Sequence, residues 1–148
     1  IFYHAMCVSK ASDGAMAFCG TNAVTRTIAF REVGGFAYYT ATEDLDLGIR
    51  MNDAGYHGAY VPKILVHGYA PQDFTAYESQ QYRWANGNLA ILREHALRLL
   101  TGRFSLRYTV HTFFTLGWWL IGVVTLVSAG LTSLLHFCGG HRAWVARR

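Results

Sequence analysis

No Asp, Glu, Lys or Arg occurs between Thr109 and Cys138. About 20 helical residues cross the hydrocarbon core of a bilayer, and this run exceeds that with margin for tilt. A helix buried in a soluble core rarely runs so long without charge. A re-entrant hairpin bent near Gly117 or Gly130 is the other geometry the run allows. Trp118, Trp119 and Trp144 suit membrane interfaces. The run also explains a low charged fraction, 15% of the chain, where about a quarter is usual.

The net charge is +4. Arg93, Arg98, Arg103 and Arg107 precede the apolar run, and Arg142, Arg147 and Arg148 follow it. Basic flanks suit anionic lipid headgroups. A nucleic-acid surface would interleave basic and aromatic residues on one soluble face, which this chain lacks, so nucleic acid is not an expected partner. Both flanks are basic, so charge alone does not orient the helix. Cys7, Cys19 and Cys138 show no CxxC or Cys/His spacing and read as buried, reduced thiols. The seven histidines form no metal-ligand pair. The start at Ile1 has no signal-peptide pattern, and a loop-like stretch, Ser9 to Gly14, follows. The chain reads as part of a longer protein.

Local patterns divide the rest. Met16 to Val24 reads as a short buried strand and turn, and Thr25 to Val33 as a short helix stopped by Gly34-Gly35. Tyr38 to Ala41 is an extended approach. Glu43 to Ala54 reads as a helix with acids in its first turn and Gly55 as its stop. Tyr56 to Val61 and Ile64 to His67 look like strands broken by Pro62-Lys63. Asp73 caps a helix running to about His95, and a basic, partly amphipathic connection, Leu97 to Leu106, leads to the apolar run.

Three groups carry chemical potential. Asp44 stands in a first helical turn, where unpaired N–H groups favour an anion; aimed at a cleft, it could take a proton from a sugar hydroxyl. Glu43, Asp44 and Asp46 also fit ordinary helix-start acids. Asp44-Leu45-Asp46 mimics an Asp-x-Asp metal site, but residues two apart on a helix do not face each other. Gln80, Arg83 and Trp84 share one helical face, with Tyr77 a turn earlier. Trp84 offers a surface for stacking on a sugar ring, and Arg83 a donor fork for a diphosphate; an amphipathic helix with solvated Arg has the same pattern. In Phe18-Cys19-Gly20-Thr21-Asn22 the glycine permits close approach of a ligand, or marks a plain turn.

The order and spacing of Phe18-Cys19-Gly20-Thr21, Thr42-Glu43-Asp44 and Gln80-x-x-Arg83-Trp84, followed by a membrane helix, resembles the processive family 2 glycosyltransferases. The likeness is greatest to cellulose synthase catalytic subunits and related β-glycan synthases. It extends from about Ala17 to Arg93, and includes Gly34-Gly35-Phe36, Asp46-Leu47-Gly48-Ile49-Arg50, Gly55-Tyr56 and Ala70-Pro71; beyond that it lies in hydropathy only. The resemblance implies an α/β fold: the C-terminal half of a GT-A, Rossmann-like domain, then an amphipathic interface segment and one transmembrane helix. On that basis 1–95 is the acceptor half of a catalytic domain, 96–108 the interface connection, 109–138 the membrane helix and 139–148 a basic tail.

The same resemblance implies inverting, direct transfer of a sugar from a UDP-sugar, UDP-glucose first, to the non-reducing end of a growing β-glycan such as cellulose. Asp44 would be the general base, with Thr42 and Glu43 beside it in the catalytic motif. Arg83 would contact the diphosphate, Trp84 would stack on the polymer end and Gln80 would help hold it. Cys19, Gly20 and Thr21 would line the acceptor pocket. Family members carry an upstream Asp and an Asp-x-Asp motif that bind uridine and Mg²⁺ or Mn²⁺, and this chain has neither. The metal would thus be held by residues outside the chain, which would be inactive alone. The lipid bilayer and accessory synthase subunits are the implied partners, and the bacterial inner membrane, with catalysis on the cytoplasmic side, the implied location. Transfer of a single sugar to a lipid, or a catalytically dead membrane scaffold, are the alternatives.

Overall fold

The computed structural model describes residues 2–16 and 18–145; Ile1, Ala17 and residues 146–148, with Arg147 and Arg148 of the expected basic tail, lie outside the described residues. A π-helical stretch, Phe2–Cys7, runs directly into α1 (Val8–Ser12). Then come α2 (Thr27–Glu32), α3 (Glu43–Asp53), α4 (Phe74–Leu100) and α5 (Leu106–Val145). Residues up to Leu116 form one compact unit and residues from Gly117 a second.

The long helices start and stop where local chemistry dictates. Asp73 caps α4 by accepting a 2.7 Å hydrogen bond from the Ala76 N–H, satisfying a donor that helical geometry orphans. α3 begins at Glu43 and ends at Asp53, with Ala54 as its C-cap, and the Gly55 and Tyr56 N–H groups bond back to the Asn52 and Met51 carbonyls. α4 continues through Leu100, past the expected end near His95. The expected connection therefore comprises the last turn of α4, a turn at Gly102 and the start of α5.

Two expectations need correction. The Ser9 to Gly14 stretch is not a loop: most of it lies in α1, fixed by a 2.6 Å hydrogen bond from Lys10 Nζ to Thr115 Oγ1. No β-strand forms among the described residues, so the sheet of an α/β fold is not seen here. Between Met16 and Val24 the backbone turns instead, through positive φ at Gly20 (73°) and Asn22 (54°). Tyr56 to Val61 and Ile64 to His67 form no strand ladder among the described residues, and Val61, Ile64, Leu65 and Val66 face solvent. A strand exists only where its N–H and C=O groups meet a neighbour in a ladder; Met16 lies against Gly58, 3.3 Å from where a Cβ would stand, but no ladder forms.

In the first unit, Ile49 of α3, Ile91 and Leu99 of α4, and Phe104, Tyr108 and Leu116 form one buried cluster with Ala15. The Phe104 and Tyr108 rings stack with centroids 5.0 Å apart. This core holds α3 on α4. The second unit is the remainder of α5. The segment Leu106–Phe137 is long and apolar enough to cross a membrane. From Gly117 on, its hydroxyls bond back to carbonyls of the preceding turn: Thr125 to Ile121 (2.8 Å), Ser128 to Val124 (2.7 Å) and Ser133 to Ala129 (2.8 Å). No side-chain hydroxyl of these three then needs water, as a hydrocarbon environment requires.

Candidate active site

Two close approaches, each at a glycine, bring the Phe18 to Asn22 and Thr42 to Asp44 motifs together and seat the second on α4 one turn from Arg83 and Trp84. The first joins the Phe18 to Asn22 segment to α3. A Cβ on Gly20 would stand 2.7 Å from Asp44 Oδ2, and one on Gly48 would stand 3.0 Å from the Phe18 amide nitrogen. Gly20 has a φ of 73°, which L side chains rarely adopt. The segment thus lies along the first turns of α3, with its backbone against the Asp44 carboxylate.

The second approach joins the Thr40 to Thr42 turn to α4. A Cβ on Gly87 would stand 2.5 Å from Thr42 Oγ1, and Thr40 Oγ1 donates to the Gly87 carbonyl at 3.0 Å. Gly87, Asn88, Ile91, His95 and Leu99 form the buried stripe of α4. Gln80, Arg83 and Trp84 continue it toward the N-terminus at helical spacing, where Arg83 and Trp84 come into the open, Trp84 with 40% exposure. The Asp44-bearing end of α3 is therefore seated on α4 one turn from Arg83 and Trp84. The side chains of Gln80 and Arg83 have no hydrogen-bond partner among the described residues.

The electrostatics separate the acids. Burial pushes the Asp44 carboxyl above its ordinary value of 3.8; the Leu45 N–H opposes this and Glu43 reinforces it. Higher proton affinity with partial exposure suits a proton acceptor. Asp46 is fully buried (0% exposed). It accepts hydrogen bonds from Arg50 Nε and His95 Nε2, both at 2.7 Å, and from the Tyr39 hydroxyl. Arg50 also donates to the Val33 and Gly35 carbonyls. Burial opposes ionisation of Asp46, but the hydrogen bonds from His95, Tyr39 and Arg50 outweigh it and hold the carboxyl below 3.8. Asp46 is thus a structural hub joining α3 to α4 and to the preceding loop.

With Asp46 so occupied, Asp44-Leu45-Asp46 does not fit a cation site, and no group of three metal-ligating side chains occurs among the described residues. Cys19 stands near Cys7, Lys10 and Asp44; burial, then Cys7, pushes its thiol up to about 11, so it lines the site as a neutral group. Thr21 is exposed in the turn after Gly20.

Sequence reasoning missed Gly87 and the Asp46–His95 pair. A glycine inside a helical pattern was the available signal for the first; nothing local signals the second.

Comparison with known proteins gives the family of the chain. The profile of the family described as glycosyl transferase family group 2 matches residues 2–146. The chain is 36% identical over 104 residues to a probable glucomannan 4-β-mannosyltransferase 7 of Oryza sativa subsp. japonica, covering 68% of this chain and 18% of that protein. It is 34% identical over 90 residues to a UDP-forming cellulose synthase catalytic subunit of Dictyostelium discoideum (61% and 8%). It is 40% identical over 76 residues to the UDP-forming cellulose synthase 1 catalytic subunit of Komagataeibacter xylinus (51% and 10%). The chain spans less than a fifth of the length of each of these relatives. With the match running from the π-helical start to the end of α5, the chain belongs to the group 2 glycosyltransferase family.

Proposed function

We propose that this chain is the acceptor-side part of a membrane-bound, inverting β-glycan synthase, a hexosyltransferase that uses a UDP-sugar, UDP-glucose first. The observation that carries the reading is the convergence at Asp44: Gly20 against its carboxylate, and its helix start seated on α4 beside the Arg83/Trp84 face. Asp44 takes the proton from the acceptor hydroxyl. The hydroxyl oxygen forms the new bond to the anomeric carbon from the face opposite UDP, and the bond to UDP breaks with inversion. Thr42 and Glu43 complete the motif that presents the base. Arg83 neutralises charge on the departing diphosphate, Trp84 stacks on the terminal sugar of the polymer and Gln80 holds it laterally. Cys19, Gly20 and Thr21 form the wall of the acceptor pocket.

The donor-binding sheet, and the residues that would hold a Mg²⁺ or Mn²⁺ to offset diphosphate charge, would lie in sequence beyond this chain, which alone is inactive. Residues 1–95 are then the catalytic part, 96–108 the interfacial connection, 109–138 the membrane helix and 139–148 its basic end. Catalysis takes place at the cytoplasmic face of a bacterial inner membrane, and accessory synthase components are further partners.

The test uses membranes carrying the full-length protein, supplied with Mg²⁺ and a panel of labelled nucleotide sugars. Label in ethanol-insoluble polymer from one donor supports the synthase and names its sugar, separating glucosyl from mannosyl transfer. Label confined to lipid extract overturns processive synthesis in favour of single-sugar transfer, and no label with any donor favours the scaffold.

Trp84→Ala has a specific expected outcome. A stacked ring contributes on the order of 1 kcal/mol beyond area burial, so elongation of a soluble oligosaccharide acceptor should require roughly five- to tenfold more acceptor. Trp84 is partly exposed, so the protein should fold normally. Unchanged acceptor dependence would remove the stacking role.

A further inference from the structure

We propose that Gly87 is a positioning residue that sets how closely the base approaches the acceptor; this rests on the reading of Asp44 as that base. Gly87 lies well inside α4, where glycine is a poor helix former, and its φ is not in the left-handed region. Backbone freedom therefore does not explain it. Space does. A Cβ there would stand 2.5 Å from Thr42 Oγ1, 2.9 Å from Thr42 Cγ2 and 2.9 Å from the Thr42 amide nitrogen. Rotating the Thr42 side chain relieves the first two contacts but not the third, which is with backbone.

The approach is also bonded. Thr40 Oγ1 donates to the Gly87 carbonyl at 3.0 Å and stands 3.2 Å from the Thr42 N–H, which donates to it. One hydroxyl thus fastens the residue that opens α3 to the helix bearing Arg83 and Trp84. Thr42 is buried, and Asp44 follows two residues later. Any group larger than hydrogen at Gly87 lifts the start of α3 off α4 and carries Asp44 away from a sugar held on Trp84. A displacement near 1 Å can cost roughly 10²-fold in rate.

The experiment compares wild type, Gly87→Ala, Thr40→Val and Asp44→Asn of the full-length protein in membranes, normalised to protein amount. It reads kcat for polymer formation and KM for the nucleotide sugar. Gly87→Ala is expected to lose about 10²-fold in kcat with donor KM little changed, because a positioning fault acts on the chemical step. Thr40→Val adds no bulk and keeps the side-chain shape, so it tests the same contact should Gly87→Ala fail to accumulate; about a tenfold loss in kcat is expected. Wild-type kcat in both variants, or loss expressed only as a raised donor KM, overturns the proposal. If Asp44→Asn retains turnover, the base assignment fails; if Asp44→Asn is inactive while Gly87→Ala and Thr40→Val are normal, only the positioning role fails.

Discussion

Asp44→Asn in the full-length protein is expected to reduce sugar transfer by about 10²–10⁴-fold while leaving nucleotide-sugar binding essentially unchanged. The amide keeps the shape of the side chain, and so the contact with Gly20, but cannot take the acceptor proton. In the proposed reading the donor is held by other residues, so its binding should be untouched. The pH profile adds an independent reading. A base works when deprotonated, so turnover should fall as pH drops through the pKa of Asp44. Burial raises that pKa above 3.8, which moves the acid limb upward from the ordinary aspartate value. Measured turnover against pH should show that limb in wild type, and its absence would count against Asp44. Near-normal turnover in Asp44→Asn would end the assignment.

Asp46→Ala is expected to produce the largest loss of stability. Removing one partner from a buried charged network costs about 3–5 kcal/mol, and here it strips hydrogen bonds from Arg50, His95 and Tyr39 together. Asp46→Asn keeps an acceptor oxygen, so its cost should be smaller, about 1–3 kcal/mol. Thermal unfolding of the detergent-solubilised protein measures both. A loss below about 1 kcal/mol for Asp46→Ala would show that the network does not hold α3 on α4. The pH dependence has a defined sign. The folded-state pKa of Asp46 lies below 3.8, so its contribution is fully present above that value and disappears as pH falls beneath it. Between neutral pH and about 5 this residue should leave stability unchanged.

The two aspartates show why the shared Asp-x-Asp pattern was ambiguous as text. Both lie in the first turns of one helix, yet one carboxyl meets a glycine backbone and an open face, while the other is sealed under three donors. Helical rotation separates them, as their spacing predicts. Only the surroundings give one a raised proton affinity and the other a structural role.

What the sequence alone determined is what depends on neighbours in the chain. The starts of α3 and α4 follow from the Thr42-Glu43-Asp44 and Asp73 signals, the end of α3 from Gly55, and the membrane-length helix from an uncharged apolar run. The helical spacing of Gln80, Arg83 and Trp84 is likewise local. The tertiary structure alone decided which of these elements touch. Thr40 meets Gly87 across 47 positions and Asp46 meets His95 across 49, separations that no periodic pattern or capping rule encodes. The expected strands mark the same boundary from the other side. Their residues have β propensity, but a strand is completed by hydrogen bonds to a second segment, and propensity without that partner leaves an extended chain facing water.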